Sequence, residues 1–385
     1  IWTYKSPKSP LRMKGIPFPL SRNCLPSWVP SGILIFAFLP SIVGISIVVP
    51  SAASAIEIGN SKNKFTSDLL KSSCDSTLMK KLYIHCGTHK TGTTAIQKFL
   101  HQNRKSLEKN NIEYCNIGYT KNYPWNNHNI AWELCGDFRY DKNIPSVKEF
   151  INYLENKNEN IILSSEDFQF NDIKNNYYKS FVNEINKKGY EIKVILYLRN
   201  QYDYLKGIYQ IMLMIGHPYT NINEALNELE SNKYFLKFKT ITFFFDYNIL
   251  IENIKESLNL NDNDIICKSY DENKNMLLKS FLNIFNIKET FDYEKYKNIN
   301  SGLYQLSKDL IEKLNMSVKN INLTQEEFNK AKYALRYGEP FHIGEKFKIN
   351  NNYVKNYIIK KFSLSNERIE KLFNIKINKW INEKN

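Results

Sequence analysis

A glycine-rich segment, GTHKTGTT, is where the sequence first offers residues that can do chemistry. It lies between an apolar run and an amphipathic pattern. In such a loop successive backbone N–H groups point inward, and the helix that follows adds about half a positive charge at its N-terminus. Glycines let the backbone approach an anion closely. The segment therefore predicts a site for a phosphate-type anion. Its residues are Gly87, Thr88, His89, Lys90, Thr91, Gly92, Thr93 and Thr94.

The position of the lysine distinguishes this loop from that of ordinary ATPases. ATP-type P-loops read G-x-x-x-x-G-K-[ST]. Here Thr93 stands at the lysine position, and Lys90 lies inside the loop instead. The nearest candidate for a Walker-B aspartate is Asp246, in the segment FFFD, and it is not a convincing one. The sequence therefore disfavours ordinary nucleotide hydrolysis.

A second basic residue, Arg199, directly follows the apolar run IKVILYL at 192–198. A guanidinium at the carboxyl end of a strand suits a phosphate dianion, because its fork binds two oxygens at once. Ligands of open α/β sheets also bind at this edge. Asp203 is interpreted as a helix-opening residue, since a carboxylate in the first turn complements the helix dipole.

The two segments together resemble the cofactor motifs of the sulfotransferases that use 3′-phosphoadenosine 5′-phosphosulfate (PAPS). In that family the loop reads roughly [KR]-[ST]-G-[TS]-[ST], which Lys90 to Thr94 match at every position. The second motif is an Arg at a strand end, matched by Arg199. The resemblance covers most of residues 79–315. It implies that Lys90 assists the leaving group, that the loop holds the 5′-phosphosulfate, and that Arg199 holds the 3′-phosphate. No metal is implied.

One position departs from the family pattern. The second motif carries a Ser eight residues after the Arg, and this chain has Gly207 there. A lost hydroxyl removes one hydrogen bond, which contributes about 0.5–1.5 kcal/mol. Lys206 or a backbone N–H is expected to compensate. Gly207 therefore remains a cofactor-binding position with weakened affinity for the 3′-phosphate.

Two residues are alternative general bases for deprotonating the acceptor. Glu166 follows a predicted strand at 160–165, on the same sheet edge as the loop. His128 lies in an aromatic segment, and histidine titrates near neutrality. His89 is expected to shape the anion site rather than to act as a base. Glu113 fits better as a strand-entry residue. The choice between Glu166 and His128 stays open.

Composition bears on the acceptor and on the partners. The 53 Lys and Arg exceed the 39 Asp and Glu, which gives a net charge of +14, and such a field favours anionic partners. The six cysteines form no C-x-x-C pair or metal-type spacing. We expect a saccharide acceptor hydroxyl or amine, no metal and no nucleic-acid partner. Sugar rings can stack on the aromatic side chains of the segment at 119–132: Tyr119, Tyr123, Trp125 and Trp132.

Two other functions remain as alternatives. The first is a nucleotide kinase or other NTPase that uses Lys90 in an unusual way. The second is a degenerate, non-catalytic member that binds nucleotide without turnover, an idea motivated by Gly207. Binding of ATP with Mg²⁺ supports the first, and robust sulfuryl transfer excludes the second.

The N-terminal 78 residues differ in composition from the rest. Residues 33–49 form an apolar run that follows several Lys and Arg, as in a signal peptide or short anchor. The alternative is a native start at Met79, whose basic residues lead directly into the first strand. A start at Met79 predicts a cytoplasmic protein. The other alternative predicts an exported or membrane-anchored one, with membrane contact only through residues 33–49.

Alternating strand and helix patterns predict an α/β fold. We expect a P-loop-type three-layer sandwich, with a mostly parallel central sheet and helices on both faces. Residues 79–320 form the sulfotransferase domain in this prediction, and residues 321–385 form a helical C-terminal extension that packs on it. Residues 115–145 are predicted to be irregular. Predicted strands are 82–86, 160–165, 192–198, 241–245 and 264–267, and predicted helices include 95–107, 177–187, 324–338 and 365–374.

Overall fold

The computed structural model describes residues 79–377 except 169, 171–175, 218, 220, 297–302, 318–323, 339–344 and 347. Its centre is a five-stranded parallel sheet with the order β2-β3-β1-β4-β7, and β5 and β6 form a separate antiparallel pair. The strands are β1 (Lys80–Gly87), β2 (Ile112–Tyr114), β3 (Asn160–Ser164), β4 (Tyr190–Leu198), β5 (Phe235–Phe238), β6 (Ile241–Phe244) and β7 (Ile265–Ser269).

Helices connect the strands and form the C-terminal part of the described chain. The helices are α1 (Thr93–Gln102), α2 (Arg104–Glu108), α3 (His128–Cys135), α4 (Val147–Leu154), α5 (Asn176–Lys187), α6 (Gln201–Met214), α7 (Ile222–Ser231), α8 (Tyr247–Leu258), α9 (Tyr270–Asn273), α10 (Leu277–Leu282), α11 (Gln305–Ser317), α12 (Gln325–Tyr337) and α13 (Asn352–Phe373). Short 3₁₀ turns lie at Asp262–Asp264, Lys274–Met276, Asn283–Phe285 and Glu294–Tyr296.

The parallel sheet is covered on both faces. Alternate residues of β1 point to opposite faces, because the side-chain period of a strand is two. Leu82 and Ile84 pack with α3, α4, α5 and α8 on one face. Tyr83 packs with α1, α2 and α10 on the other. The α/β fold, with a mostly parallel central sheet and helices on both faces, is therefore confirmed.

A third apolar cluster joins α6 to the C-terminal helices. It contains α6, α7, the β5–β6 pair and residues of α11 and α13. Val354, Ile358 and Phe362 of α13 are buried in it. Because α6 begins two residues after Arg199, this cluster holds in place the helix that follows the predicted anion-binding arginine.

The predicted strand at 241–245 does not join the parallel sheet. It ends at Phe244 as β6 and pairs antiparallel with β5, in the register Phe238↔Ile241. Only Lys239 and Thr240 separate the two strands, and Lys239 has a φ of 54°. A two-residue turn returns the chain at once, so β6 pairs with its sequence neighbour. The predicted strand is therefore present, but it belongs to a separate hairpin and not to the central sheet.

Two helix predictions also change. The helix predicted at 95–107 is divided at Asn103, whose side-chain amide donates to the Phe99 carbonyl at 2.8 Å and to the Tyr296 hydroxyl at 3.0 Å. The irregular region predicted at 115–145 contains α3, which ends at Gly136 with a φ of 63°. Both helices end for local reasons. At Asn103 the side chain competes for a backbone carbonyl, and at Gly136 the backbone takes the left-handed conformation.

The predicted extension at 1–78, with its apolar segment at 33–49, lies outside the described residues. Among the helices that the structure does describe, none combines the length and apolar content needed to cross a membrane.

Candidate functional site

The glycine-rich loop joins the carboxyl end of β1 to the start of α1. Gly92 has a φ of +80°, and a Cβ on it would lie 2.3 Å from Leu277 Cδ2, so only glycine fits. The Thr88 N–H donates to the Tyr197 carbonyl of β4 at 3.0 Å. The Thr91 hydroxyl donates back to the Thr88 carbonyl. These contacts fix the loop conformation and tie it to the central sheet.

The remaining N–H groups of the loop are available to a ligand. Among the described residues, no acceptor meets the backbone N–H groups of residues 89–94. The first N–H groups of a helix have no intrahelical partner, and they are normally satisfied by caps, water or ligands. Gly92, the N-cap residue of α1, has no side chain to serve as a cap. The predicted loop residues therefore form one connected set of donors at a helix N-terminus.

Gly207 makes room for the side chain of Lys90. A Cβ at position 207 would lie 2.7 Å from Lys90 Cγ and 3.1 Å from Lys90 Cβ. Both distances are below ordinary van der Waals contact, so the lysine stem passes directly over the glycine. The sequence predicted only a lost hydroxyl at this position. The structure adds a steric reason, because a serine here would collide with Lys90.

Arg199 meets the same loop from the end of β4. Its Nη1 donates to the Lys90 carbonyl at 3.2 Å, and its guanidinium lies 5.3 Å from the Tyr270 ring centroid. Its Nε is buried and has no hydrogen-bond partner among the described residues. A buried, unsatisfied guanidinium N–H is costly and indicates a missing acceptor. The loop and Arg199, 109 residues apart in sequence, are thus brought together.

The first turn of α6 holds the residues beside Arg199 in place. The Asn200 side chain caps the helix by accepting from the Asp203 N–H at 2.9 Å. Asp203 forms an ion pair with Lys206 and lies 3.9 Å from Arg199 Nη2. Asp203 is therefore a helix-opening residue in its placement, as its sequence position suggested. Lys206 is engaged by that carboxylate rather than standing in for a serine hydroxyl.

Two cations from separate parts of the chain lie near Lys90. Desolvation, and after it the guanidinium groups of Arg336 and Arg199, lower the pKa of Lys90 to about 7, although Glu166 raises it. Arg336 belongs to α12, a region in which no motif is recognisable from the sequence. Like charges held together in this way favour an anion that neutralises them.

Glu166 lies two residues beyond β3, on the loop side of the sheet edge. Its Oε2 accepts from Gln97 Nε2 of α1 at 2.7 Å. With Thr88 and His89 it lines a narrow cavity of about 30 Å³. Burial raises the pKa of Glu166, but the imidazoles of His128 and His89 outweigh this, and the pKa lies below its ordinary value. The carboxylate is ionised at neutral pH.

Asp167 connects the anion loop to the aromatic segment, a role that its sequence position did not indicate. The Trp132 indole donates to Oδ2 at 2.8 Å, and Arg139 Nη1 lies 3.0 Å from the same oxygen. His89 Nε2 lies 3.3 Å from Oδ1. Burial raises the pKa of Asp167, but His128, His89 and Arg139 together hold it well below its usual range. Both carboxylate oxygens are therefore occupied.

His128 begins α3 and is almost fully buried. Its Nδ1 lies 2.7 Å from the Ser165 hydroxyl, and its ring stacks on Trp132 with centroids 5.3 Å apart. It is also 3.7 Å from Asp167. His128 therefore packs against Ser165, Trp132 and Asp167, whereas Glu166 lies next to the loop.

Other predicted residues lie elsewhere. The Tyr119 hydroxyl accepts from Arg104 Nη2 at 2.8 Å, so this ring packs against α2. Glu113 lies in the middle of β2 and pairs with Lys157 at 2.8 Å. Asp246 caps α8 through the N–H of Asn248 at 3.0 Å.

The described residues contain no group of three or more His, Cys, Asp or Glu side chains arranged to hold a metal ion. No protein-family model matches the chain, and no curated protein matches it. Among solved structures, a chain of the PezAT chromosomal toxin–antitoxin system of the human pathogen Streptococcus pneumoniae aligns with 66% of this chain and 93% of its own length, with 14% identity and a TM-score of 0.27. A likeness at that level carries no information about function.

Proposed function

We propose that the chain is a sulfotransferase that moves a sulfuryl group from PAPS to an acceptor hydroxyl or amine. The observation that carries the proposal is the meeting of the two motifs. Lys90 crosses Gly207, and Arg199 Nη1 donates to the Lys90 carbonyl at 3.2 Å. A loop lysine and a strand-end arginine therefore form one cationic site at the carboxyl edge of a parallel sheet.

The residues present fit a ligand with two separate anionic groups. The loop N–H groups and the start of α1 suit a phosphosulfate. The buried Nε of Arg199, which has no acceptor in the described chain, suits a second phosphate. PAPS supplies an activated sulfuryl group at one end and a 3′-phosphate at the other. Fixed cations around both ends favour this ligand over a neutral one.

Each catalytic residue has one task in the proposed reaction. The acceptor oxygen or nitrogen bonds to sulfur, the bond between sulfur and the phosphate oxygen breaks, and 3′,5′-adenosine bisphosphate leaves. Protonated Lys90 stabilises the charge that develops on the departing oxygen. Glu166 takes the acceptor proton, since it is ionised and lies beside the loop, whereas His128 is stacked behind Asp167. We therefore favour Glu166 as the base.

The contacts of the acidic residues weigh against the kinase alternative. P-loop NTPases hold Mg²⁺ with a loop Ser or Thr and a Walker-B Asp. Asp246 caps a helix, and the oxygens of Asp167 are occupied by Trp132, Arg139 and His89. Neither carboxylate is placed to bind a metal without losing these partners.

Calorimetric titration of the full chain tests the proposal. The ligands are 3′,5′-adenosine bisphosphate and, separately, ATP with Mg²⁺. We expect micromolar or tighter bisphosphate binding that weakens roughly 10- to 100-fold in Lys90→Ala and Arg199→Ala, as for lost hydrogen bonds to charged groups. Lys193→Ala is the control, because Lys193 lies on the same strand but pairs with Asp264 at 2.6 Å.

Two outcomes would contradict the assignment. Preference for ATP with Mg²⁺ would favour a kinase, and a bisphosphate affinity equal in Arg199→Ala and Lys193→Ala would make the second motif accidental. Glu166→Gln should retain bisphosphate binding and lose transfer. Bisphosphate binding without transfer by the unmodified chain to any saccharide, phenol or amine would favour the degenerate alternative.

A further inference from the structure

A continuous series of rings and cations runs past the Glu166 side of the site. Tyr123 lies edge-on to His128 at 5.4 Å, and His128 stacks on Trp132 at 5.3 Å. The Arg139 guanidinium lies 4.8 Å from the Trp132 ring. Phe138 and Lys239 continue the series. The Phe138 ring centroid lies 5.9 Å from the Arg139 guanidinium and 4.7 Å from Lys239 Nζ. We call this series the aromatic ladder: Tyr123, His128, Trp132, Arg139, Phe138 and Lys239.

The middle of the aromatic ladder is buried and its two ends are exposed. His128 and Trp132 are 6% and 7% exposed, whereas Tyr123 and Phe138 are 47% and 57% exposed. Asp167 holds the middle through Trp132 and Arg139. Two large rings are therefore exposed at the ends of a buried middle part, which is bonded to Asp167, the residue that follows Glu166.

A lysine lies at each end of the aromatic ladder. Lys239 lies beside Phe138, and Lys98 Nζ lies 4.6 Å from the ring of Trp125, which contacts Tyr123 at 6.4 Å. Neither Lys239 nor Lys98 has a carboxylate partner among the described residues, whereas Arg139 is paired with both Asp137 and Asp167. The lysines are thus free to meet anionic groups of a ligand that also covers the rings.

The end at Phe138 is preorganised. Lys239 lies in the β5–β6 turn, and the next residue, Thr240, donates to Asp137 at 2.8 Å. Arg139 binds the same Asp137 through Nε at 2.8 Å. The turn and the segment that carries Phe138 are therefore held together before any ligand arrives, which lowers the entropic cost of binding.

We propose that the aromatic ladder is the acceptor-binding surface and that it takes an acidic oligosaccharide. The apolar faces of sugar rings stack on Tyr123 and Phe138, carboxylate or sulfate groups pair with Lys98 and Lys239, and a hydroxyl or amine between them reaches Glu166. The ionised carboxylate of Glu166 disfavours the dense charge of a nucleic-acid backbone, but sparse charges along a saccharide avoid it. This inference rests on the proposed function for its reaction, although not for its binding.

Calorimetry with three oligomers tests the inference in the full chain. The probes are a hyaluronan tetrasaccharide, neutral chitotetraose and a short oligothymidylate. We expect the acidic saccharide to bind most tightly, with affinity reduced roughly 10-fold in Phe138→Ala and in Tyr123→Ala, as for lost aromatic contacts. Lys239→Gln should reduce binding of hyaluronan but not of chitotetraose. Tyr353→Ala is the control, because Tyr353 is 69% exposed on α13 and not in the ladder.

Equal binding of the acidic and neutral saccharides, tighter binding of oligothymidylate, or no effect of Phe138→Ala would overturn the inference. Separate titration with 3′,5′-adenosine bisphosphate distinguishes it from the proposed function. If the bisphosphate fails to bind while hyaluronan still requires Phe138, the sulfotransferase assignment falls and the saccharide surface stands. If the bisphosphate binds but hyaluronan does not, the saccharide surface is refuted and the sulfotransferase assignment stands.

Discussion

Lys90 and Gly207 depend on each other because the lysine stem occupies the space that any side chain at position 207 would need. Lys90 adopts a φ of 63°, a conformation that few non-glycine residues take. The loop thus directs one particular side chain across α6 toward Arg199. The glycine at position 207, which departs from the sequence motif, is therefore required for Lys90 to pack as it does.

Gly207→Ala should therefore weaken anion binding without unfolding the protein. Alanine in a helix interior is favoured over glycine by about 1 kcal/mol, which offsets part of the collision with Lys90. We expect bisphosphate affinity to fall roughly 10-fold, with the free energy of unfolding changed by less than about 1 kcal/mol. In a Lys90→Ala background the same substitution should have no further effect on affinity. An equal loss in both backgrounds would show that Gly207 acts independently of the lysine.

Asp167 should matter for stability in a pH-dependent way. Its folded pKa is depressed, so its contribution is present above the unfolded value near 3.8 and is lost as pH falls toward the folded value. Asp167→Asn should lower the free energy of unfolding by about 2 kcal/mol at pH 7, because bonds to charged groups are lost.

Urea denaturation at several pH values checks this prediction. The difference between wild type and Asp167→Asn should shrink as the pH is lowered below about 4. Asp309→Asn is the control, because the Asp309 carboxylate is 46% exposed, and it should change stability by no more than about 0.5 kcal/mol. A difference that stays constant down to pH 2 would mean that Asp167 is not held ionised by its partners.

At the scale of elements, α12 reaches back to the loop at the other end of the described chain. Arg336 lowers the pKa of Lys90, so the C-terminal helices take part in the electrostatics of the site. Arg199 is brought in by β4 and Lys90 by the loop after β1. The site therefore requires three elements: the loop after β1, the end of β4 and α12. Only when they are assembled do their cations lie close together, and the site then favours anions.

This arrangement predicts how anion affinity depends on pH. With a pKa of about 7 in the free protein, Lys90 must take up a proton to bind a dianion above that pH. Bisphosphate affinity should fall by up to about tenfold per pH unit above pH 7. Arg336→Ala should move this fall to higher pH, because one repelling charge is gone. Titrations from pH 6 to 9 test it, and Lys90→Met should remove the fall altogether.

The sequence predicted the elements that carry strong local signals. β1, β3 and β4 lie close to their predicted bounds, because apolar runs mark them locally. The sequence did not predict that 241–245 would pair with β5. The two-residue turn between β5 and β6 determines this pairing, and the composition of the strand does not show it. Asp167, Arg139 and Arg336 were missed for another reason. Their partners are distant in sequence, and an isolated charged residue gives no signal of what it will contact.

At the scale of the whole molecule, α13 should contribute to global stability. Phe362 is 2% exposed and packs in the cluster that contains α6. Phe362→Ala should lower the free energy of unfolding by about 3 kcal/mol, through lost burial and a cavity. Leu364→Ala, two residues along the same helix, is the control because Leu364 is 75% exposed.

Urea unfolding followed by tryptophan fluorescence and by circular dichroism measures both variants. The two probes should report coincident transitions if α13 unfolds together with the sheet. Equal stability of Phe362→Ala and Leu364→Ala would show that α13 frays independently and does not support Arg199 or Gly207.

The central position of β1 in the sheet has a consequence for biosynthesis. β1 pairs with β3 and β4, and the Thr88 N–H in the loop is bonded to Tyr197 of β4. A growing chain therefore exposes β1 with both edges unpaired until β3 is translated, and with one edge unpaired until β4 follows. Such segments are prone to aggregation and are bound by chaperones. The anion loop is encoded near the start of the described chain, yet its bond to Tyr197 can form only after β4 has been translated.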